Sequence, residues 1–105
     1  MVIPFLKPPR AVILYLKDPR ERFWGLVLSL DATGIVLQGV GVDSFDDWVS
    51  RVAGGHDAPQ LSTVFFPLGR VEKVLVDASS GSIPALHDHF QQRVGCSLAE
   101  YLRIE

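Results

Sequence analysis

The sequence has little of what marks a secreted, membrane-spanning or nucleic-acid-binding protein. Its single cysteine, Cys96, cannot form an internal disulfide, which favours a reducing compartment. Ten Lys and Arg against twelve Asp and Glu give a net charge of −2, so the basic surplus of a nucleic-acid binder is absent. No apolar run approaches the roughly 18 residues of a membrane span. Prolines interrupt the N-terminal segment, which does not resemble a signal peptide. We therefore expect a cytoplasmic protein.

The composition is that of a globular protein. Hydrophobic residues make up 48% and charged residues 21% of 105 residues, which predicts one domain with its own core. Within this domain, residues 1–10 hold three of the seven prolines and are expected to form an extended arm. Residues 41–60 are expected to be a helical insertion, and residues 82–105 a C-terminal helical segment.

Five short apolar segments predict β-strands: residues 11–16, 23–30, 35–40, 62–66 and 71–76. Gly25 inside the second segment suggests a bend or a close approach of two backbones. Residues 31–34, Asp-Ala-Thr-Gly, predict a hairpin loop between the second and third strands.

Apolar residues at helical spacing predict two helices. The first would bury Phe45, Trp48, Val49 and Val52, with Ser44 as its N-cap and a glycine pair after its end. The second would bury Ile83, Leu86, Phe90 and Val94, with Ser82 as its cap, Pro84 in its first turn and Gly95 after its end. Ser97 and Glu100 form a capping box for a last helical turn.

The strands are apolar on both faces, which bears on function. Strict alternation places Trp24, Leu26, Leu28 and Leu30 on one side of the second strand and Phe23 and Val27 on the other. A small barrel fills only its inside, so the outside of this one must be covered. The helices can cover part of it, and a neighbouring subunit is expected to cover the remainder. We therefore predict a homo-oligomer, with interface candidates Phe23, Trp24, Phe65 and Phe66.

The five predicted strands include Gly25, with Asp31 six residues later, and the segment Leu61-Ser62-Thr63-Val64 at the fourth strand. In these features the chain resembles the Sm-like (LSm, Hfq-type) family of small β-barrels, and the last segment looks like the fourth strand of Hfq-type proteins. The resemblance implies a mainly β (α+β) fold. This would be a five-stranded Sm-like barrel with a helix inserted between strands 3 and 4 and a C-terminal helix. Other five-stranded barrels of SH3 type remain an alternative.

The RNA site of the resembled family is not carried over. In its Hfq-type members the residues after the aspartate and those before the fourth strand contact RNA. Here Asp31 is followed by Ala32 and Thr33, and residues 57–60 are Asp-Ala-Pro-Gln. Neither segment offers an aromatic ring for a base or a cation for a phosphate, which single-strand recognition requires. The resemblance therefore supports the fold and ring-like self-assembly rather than RNA binding.

No group of residues has the spacing of an active site or metal centre. His87 and His89 point about 200° apart on a helix, so they cannot share a metal. His56-Asp57 has no identifiable nucleophile nearby, and Cys96 has no evident histidine partner. Asp43, Asp46 and Asp47 lack the spacing of a calcium loop, and helix capping explains them. We predict no catalytic, metal-binding or cofactor-binding residues, and no enzyme activity.

One basic group keeps RNA binding open as an alternative. Lys7, Arg10, Lys17, Arg20 and Arg22 lie in the arm and the first strand turn, next to two aromatic residues, although Asp18 and Glu21 are interleaved with them. The function predicted from the sequence is a non-catalytic homo-oligomeric assembly module that binds protein. The alternative is an RNA-binding Sm-like protein that uses the arm and the first turn.

Overall fold

A computed structural model describes residues 10–55 and 60–102 as an α+β fold with a five-stranded sheet and three helices. The strands are β1 Ala11–Leu16, β2 Glu21–Leu30, β3 Gly34–Gly41, β4 Ser62–Pro67 and β5 Val71–Val76. The helices are α1 Phe45–Ala53, α2 Leu86–Val94 and α3 Leu98–Leu102, and two 3₁₀ turns span Val42–Ser44 and Leu68–Arg70. Residues 1–9 of the predicted arm, which include Lys7, and the His56-Asp57 pair lie outside the described residues.

The five predicted strands are confirmed, and they pair in the order β4-β3-β2-β1-β5 with every neighbour antiparallel. The sheet is not closed into the predicted barrel. Among the described residues β4 pairs only with β3 and β5 only with β1, so both strands are edges. The turn that joins β4 to β5 forms backbone hydrogen bonds with two other turns of the chain. The Leu68 N–H donates to the Thr33 carbonyl, and the Lys17 N–H donates to the Arg70 carbonyl.

The short connection between β4 and β5 requires the sheet to bend strongly. Five strands laid flat would place the two edges about 19 Å apart, at roughly 4.8 Å per strand. The chain from Pro67 to Val71 makes four steps between Cα atoms and spans at most about 14 Å. The sheet must therefore curve until its two edges approach each other at this corner.

The concave side of the curved sheet holds the first core. Its buried residues are Val12, Leu14, Leu16, Val27, Ile35, Leu37 and Phe66, with partly buried residues from β5 packed against them. Gly25 and Gly39 lie opposite each other on β2 and β3. A Cβ at Gly39 would stand 2.0 Å from the Trp24 carbonyl oxygen, and one at Gly25 would stand 2.6 Å from the Gln38 carbonyl oxygen. The close backbone approach predicted at Gly25 is thus confirmed.

The second core lies between the convex side of the sheet and the helices. It buries Trp24, Leu26, Phe45, Trp48, Val49, Leu61, Phe90 and Leu98. Trp24 meets Phe45 edge to face at 4.9 Å, and Trp48 stacks on Phe90 at 5.2 Å between ring centroids. The prediction that the helices cover part of the outer face is confirmed, because side chains from all three helices contribute to this core.

A bulge in β2 overturns the predicted alternation of that strand. Val27 is opposite Leu37 but Ser29 is opposite Val36, so Leu28 is an extra residue. The bulge reverses the faces beyond it, and Leu30 therefore packs against the concave core instead of sharing a face with Trp24. Leu28 is left 40% exposed.

The helix positions are close to those predicted, but the caps of α1 and α2 differ. Ser44 precedes α1 without a side-chain cap bond, because a 3₁₀ turn leads into the helix and the Phe45 N–H bonds to the Val42 carbonyl. Ser82 does not cap α2, and Ile83 lies outside that helix. Gly95 ends α2 in the left-handed region, with φ of 93°, as its position predicted. The capping box of Ser97 and Glu100 is formed.

Candidate interaction surface

Part of the convex face of the sheet is left open by the described helices. Phe65 on β4 is 53% exposed and pairs with half-buried Val36 on β3. Val36 in turn pairs with Ser29 on β2, next to the exposed bulge residue Leu28. We call Leu28, Val36 and Phe65 the open patch. Neither β3 nor β4 contains a charged residue, so this part of the sheet offers apolar side chains without neighbouring charge.

The four residues predicted to form an interface have separate locations. Trp24 is fully buried beneath the helices, and Phe66 is buried in the concave core. Phe23 is partly buried and meets Phe66 edge to face at 5.3 Å. Of these four residues, Phe65 alone has most of its hydrophobic side chain accessible. The sequence did not distinguish Phe65 from Phe66, because adjacent residues of a strand differ only in the face to which they point.

The two edge strands differ in charge and regularity. β5 carries Glu72 and Lys73, and its pairing with β1 shifts register between Tyr15 and Leu16, where Glu72 is the extra residue. The Lys73 ammonium lies 4.6 Å from the centroid of the Tyr15 ring. β4 is uncharged, and its register with β3 is unbroken from Ser62 to Pro67. Charges and bulges on an edge oppose pairing with another strand, and of these two edges only β5 has them. The corresponding feature of β4 is Pro67 at its end, which has no backbone N–H to donate.

Two residues of the predicted basic group, Arg20 and Arg22, lie among carboxylates. Arg10, Lys17, Arg20 and Arg22 are exposed, and Lys7 lies outside the described residues. A depression of about 430 Å³ beside the β1–β2 turn is lined by Arg20, Arg22 and Lys73 together with Glu21, Asp43 and Glu72. Cations and carboxylates are equal in number there. Since Trp24 is buried, it is not available to stack on a base beside them.

Arg70 adds no free charge to this region, because its side chain is used by the fold. Its guanidinium donates to the carbonyl oxygens of Lys17 and Pro19, at 3.2 and 2.8 Å, and to a Glu21 carboxylate oxygen at 3.3 Å. It also lies 5.9 Å from the centroid of the Phe66 ring. Arg70 therefore holds the β1–β2 turn against the turn that joins β4 to β5.

Asp77 is a buried polar residue that the sequence analysis missed. Its carboxylate accepts the Leu86 N–H and the His87 N–H, each at 2.8 Å, and the Trp24 Nε1–H at 3.1 Å. The His87 Nδ1 is also 2.8 Å from the same carboxylate. Asp77 thus replaces the predicted Ser82 as the cap of α2. No local pattern could have indicated this role, because Trp24 is 53 residues away in the sequence.

The two helix histidines contact different carboxylates. His87 bonds to Asp77, whereas the His89 Nε2 lies 3.9 Å from an Asp46 oxygen on α1. Cys96 is partly buried. Across residues 10–55 and 60–102, no three His, Cys, Asp or Glu side chains are grouped closely enough to hold a metal ion.

None of the described helices has the length and apolar character needed to cross a membrane. Comparison of the chain with protein-family models, with curated proteins and with solved structures finds no match. The surface of the fold itself therefore carries the functional inference.

Proposed function

We propose that this protein is a non-catalytic assembly module that binds further copies of itself through the open patch and the adjacent edge strand. The observation that carries the proposal is the exposure of Phe65 beside Val36 on a part of the sheet that bears no charge. Removing apolar surface from water contributes about 25 cal/mol per Å² to a complex, before the entropic cost of association is subtracted. An exposed apolar patch next to an open strand edge is typical of a protein–protein interface.

An Sm-like sheet is the fold that we propose for this module. Two residues that carry the resemblance have structural roles that such a small curved sheet needs. Gly25 permits the close approach of β2 and β3, and Asp31 shapes the loop between them. The oxygen Oδ1 of Asp31 accepts the Thr33 N–H at 2.8 Å and the Thr33 hydroxyl at 2.6 Å. These roles belong to the fold and need no RNA ligand.

RNA binding is the second candidate function, and its support is the exposure of Lys17, Arg20 and Arg22 at one turn. Phosphate binding requires net positive potential, because affinity for nucleic acid comes largely from released counterions. The acidic side chains of Glu21, Asp43 and Glu72 reduce that potential. A surface of mixed charge suits a protein partner better, so self-association is the function we favour.

Sedimentation equilibrium over a concentration series tests the proposed function. The monomer mass is 11.6 kDa, and we expect the apparent mass to rise above this value with concentration. Phe65→Ser should lower the association. Ile83→Ser is the matched control, because Ile83 is 69% exposed but lies outside the sheet. A mass of 11.6 kDa at every concentration up to the solubility limit would refute self-association.

A further inference from the structure

The sheet has two edges of equal length, and β4 is better suited to pairing than β5. β4 and β5 each contain six residues, and each uses one side of its backbone for its neighbour in the sheet. Their other sides carry C=O groups and, except at Pro67, N–H groups without strand partners among the described residues. Such groups form a template for another strand. The proposed self-association therefore has a choice of three edge pairings: β4 with β4, β4 with β5, or β5 with β5.

Pairings that use β5 are disfavoured by its side chains and its bulge. A second strand on β5 would have to follow the irregular register at Glu72 and lie beside Glu72 and Lys73. In a β5–β5 pair the charged residues and the irregular register of both strands would lie at the contact. By contrast, β4 against β4 brings together two regular, uncharged strands, so no like charges are opposed.

We propose that β4 pairs antiparallel with β4 of a second copy across a two-fold axis near Phe65. This inference rests on the proposed self-association and specifies its geometry. Residues opposite each other in an antiparallel pair share a face of the sheet. With Phe65 opposite Phe65 of the second copy, Thr63 is opposite Pro67 and Val64 is opposite Phe66. Both Phe65 rings then lie on the convex face, where each also covers part of the other copy's open patch.

The symmetry of this pairing predicts a closed dimer. A two-fold interface uses the same surface on both copies, so it is satisfied by two chains. The ten-stranded sheet would end at both sides in β5, the edge that carries charge and a bulge. A pairing of β4 with β5 would instead leave a free β4 at one end of every open assembly, so the chains would add into a filament or close into a ring.

Two matched lysine variants separate these arrangements. Phe65 and Leu75 are both exposed apolar residues on edge strands, 53% and 42% accessible. In sedimentation equilibrium the unmodified chain should reach the mass of a dimer and no higher. Phe65→Lys should weaken dimerisation by at least about 100-fold, because two buried rings are lost and two ammonium groups face each other. Leu75→Lys should leave the dimer unchanged.

A cysteine placed on the proposed axis gives an independent measurement. In a Cys96→Ser background, Phe65→Cys is expected to form a disulfide-linked dimer on mild oxidation, because residues on the axis face their own copies at a distance that a disulfide can span. Leu75→Cys in the same background is the control and should stay unlinked. Circular dichroism confirms that each variant is folded.

The outcomes separate failure of the geometry from failure of the proposed function. Two results would overturn the two-fold β4 pairing and leave self-association standing. One is an assembly larger than a dimer that both lysine changes weaken equally. The other is a disulfide between positions 65 and 75 when the two cysteine variants are mixed. A chain that stays monomeric at every concentration would overturn both. A dimer that is sensitive only at Phe65 and linked only through position 65 supports both.

Discussion

The Trp24 Nε1–H donates a 3.1 Å hydrogen bond to Oδ2 of Asp77, and both side chains are buried. Trp24 lies in the middle of β2, and Asp77 directly follows β5 and caps the start of α2. One carboxylate thus accepts hydrogen bonds from the indole N–H of the convex core and from the first two backbone N–H groups of α2. This contact joins the helical layer to the sheet.

Replacing Asp77 should destabilise the whole domain. Asp77→Ala leaves the buried Trp24 indole N–H and the first N–H groups of α2 without their acceptor, which should cost about 3 kcal/mol of the free energy of unfolding. Urea unfolding followed by tryptophan fluorescence measures this loss. Asp46→Ala is the control, since the Asp46 side chain is 89% exposed, and it should change stability by less than about 0.5 kcal/mol. Equal stability of the two variants would contradict the role of Asp77.

The glycine pair of the sheet predicts a contrast between two similar substitutions. Gly39→Ala would place its methyl group 2.0 Å from the Trp24 carbonyl oxygen, so β2 and β3 must separate, and we expect a loss of more than about 3 kcal/mol. Gly69→Ala has no atom within 4 Å of the new methyl group and should leave stability nearly unchanged. Thermal unfolding by circular dichroism compares the two, and a tolerated Gly39→Ala would show that the strands can move apart cheaply.

Asp31 provides a pH-dependent prediction. The Thr33 hydroxyl, followed by the backbone N–H groups of Thr33 and Gly34, donates to the carboxylate and lowers the pKa of Asp31 below its usual value of 3.8. Because the folded pKa is lower than the unfolded one, the stabilisation is present above about pH 3.8 and is lost as the pH falls through the folded value.

Thr33→Val removes the hydroxyl donor and should move the pKa of Asp31 upwards, towards its usual value. Carboxyl-carbon NMR titration of the folded protein measures this shift. Thr63→Val is the control, because Thr63 lies on β4 and is not among the hydrogen-bond donors to Asp31. An unchanged titration of Asp31 in Thr33→Val would show that the hydroxyl bond does not hold the carboxylate.

The two candidate functions make opposite predictions for single-stranded RNA. The mixed charge around the β1–β2 turn leads us to expect no binding of labelled poly-U or poly-A at low salt in an anisotropy titration. If tight binding is found instead, it should weaken linearly with the logarithm of the salt concentration. Its loss on replacing Lys17, Arg20 and Arg22 by Ala would then establish RNA as the ligand of this turn.

Local patterns were sufficient to predict the strands, the helices and part of their ends. The spacing of Phe45, Trp48 and Val49 placed α1, because a helical period depends only on neighbouring residues. The capping box at Ser97 and the left-handed Gly95 were predicted for the same reason. The cap of α2 was not, since Asp77 acts from nine residues before the helix and bonds to Trp24 on another strand.

The candidate site was only partly predictable. The sequence indicated that the sheet is apolar on both faces and that its outside needs a cover, and it included Phe65 among four candidates. The tertiary structure separated Phe65 from Trp24 and Phe66 by burying the other two. It also placed Arg20 and Arg22 of the predicted basic group beside the acidic side chains of Glu21, Asp43 and Glu72.

By itself the sequence determined which segments are strands and helices, that the domain is apolar enough to fold, and that its charge is nearly balanced. These properties depend on composition and on the period of short segments. The tertiary structure decided which strands are edges, which helix end Asp77 caps and which phenylalanine stays exposed. Each of these depends on contacts between residues far apart in the chain, and the bulge at Leu28 shows how one extra residue in a strand reverses the faces of those that follow.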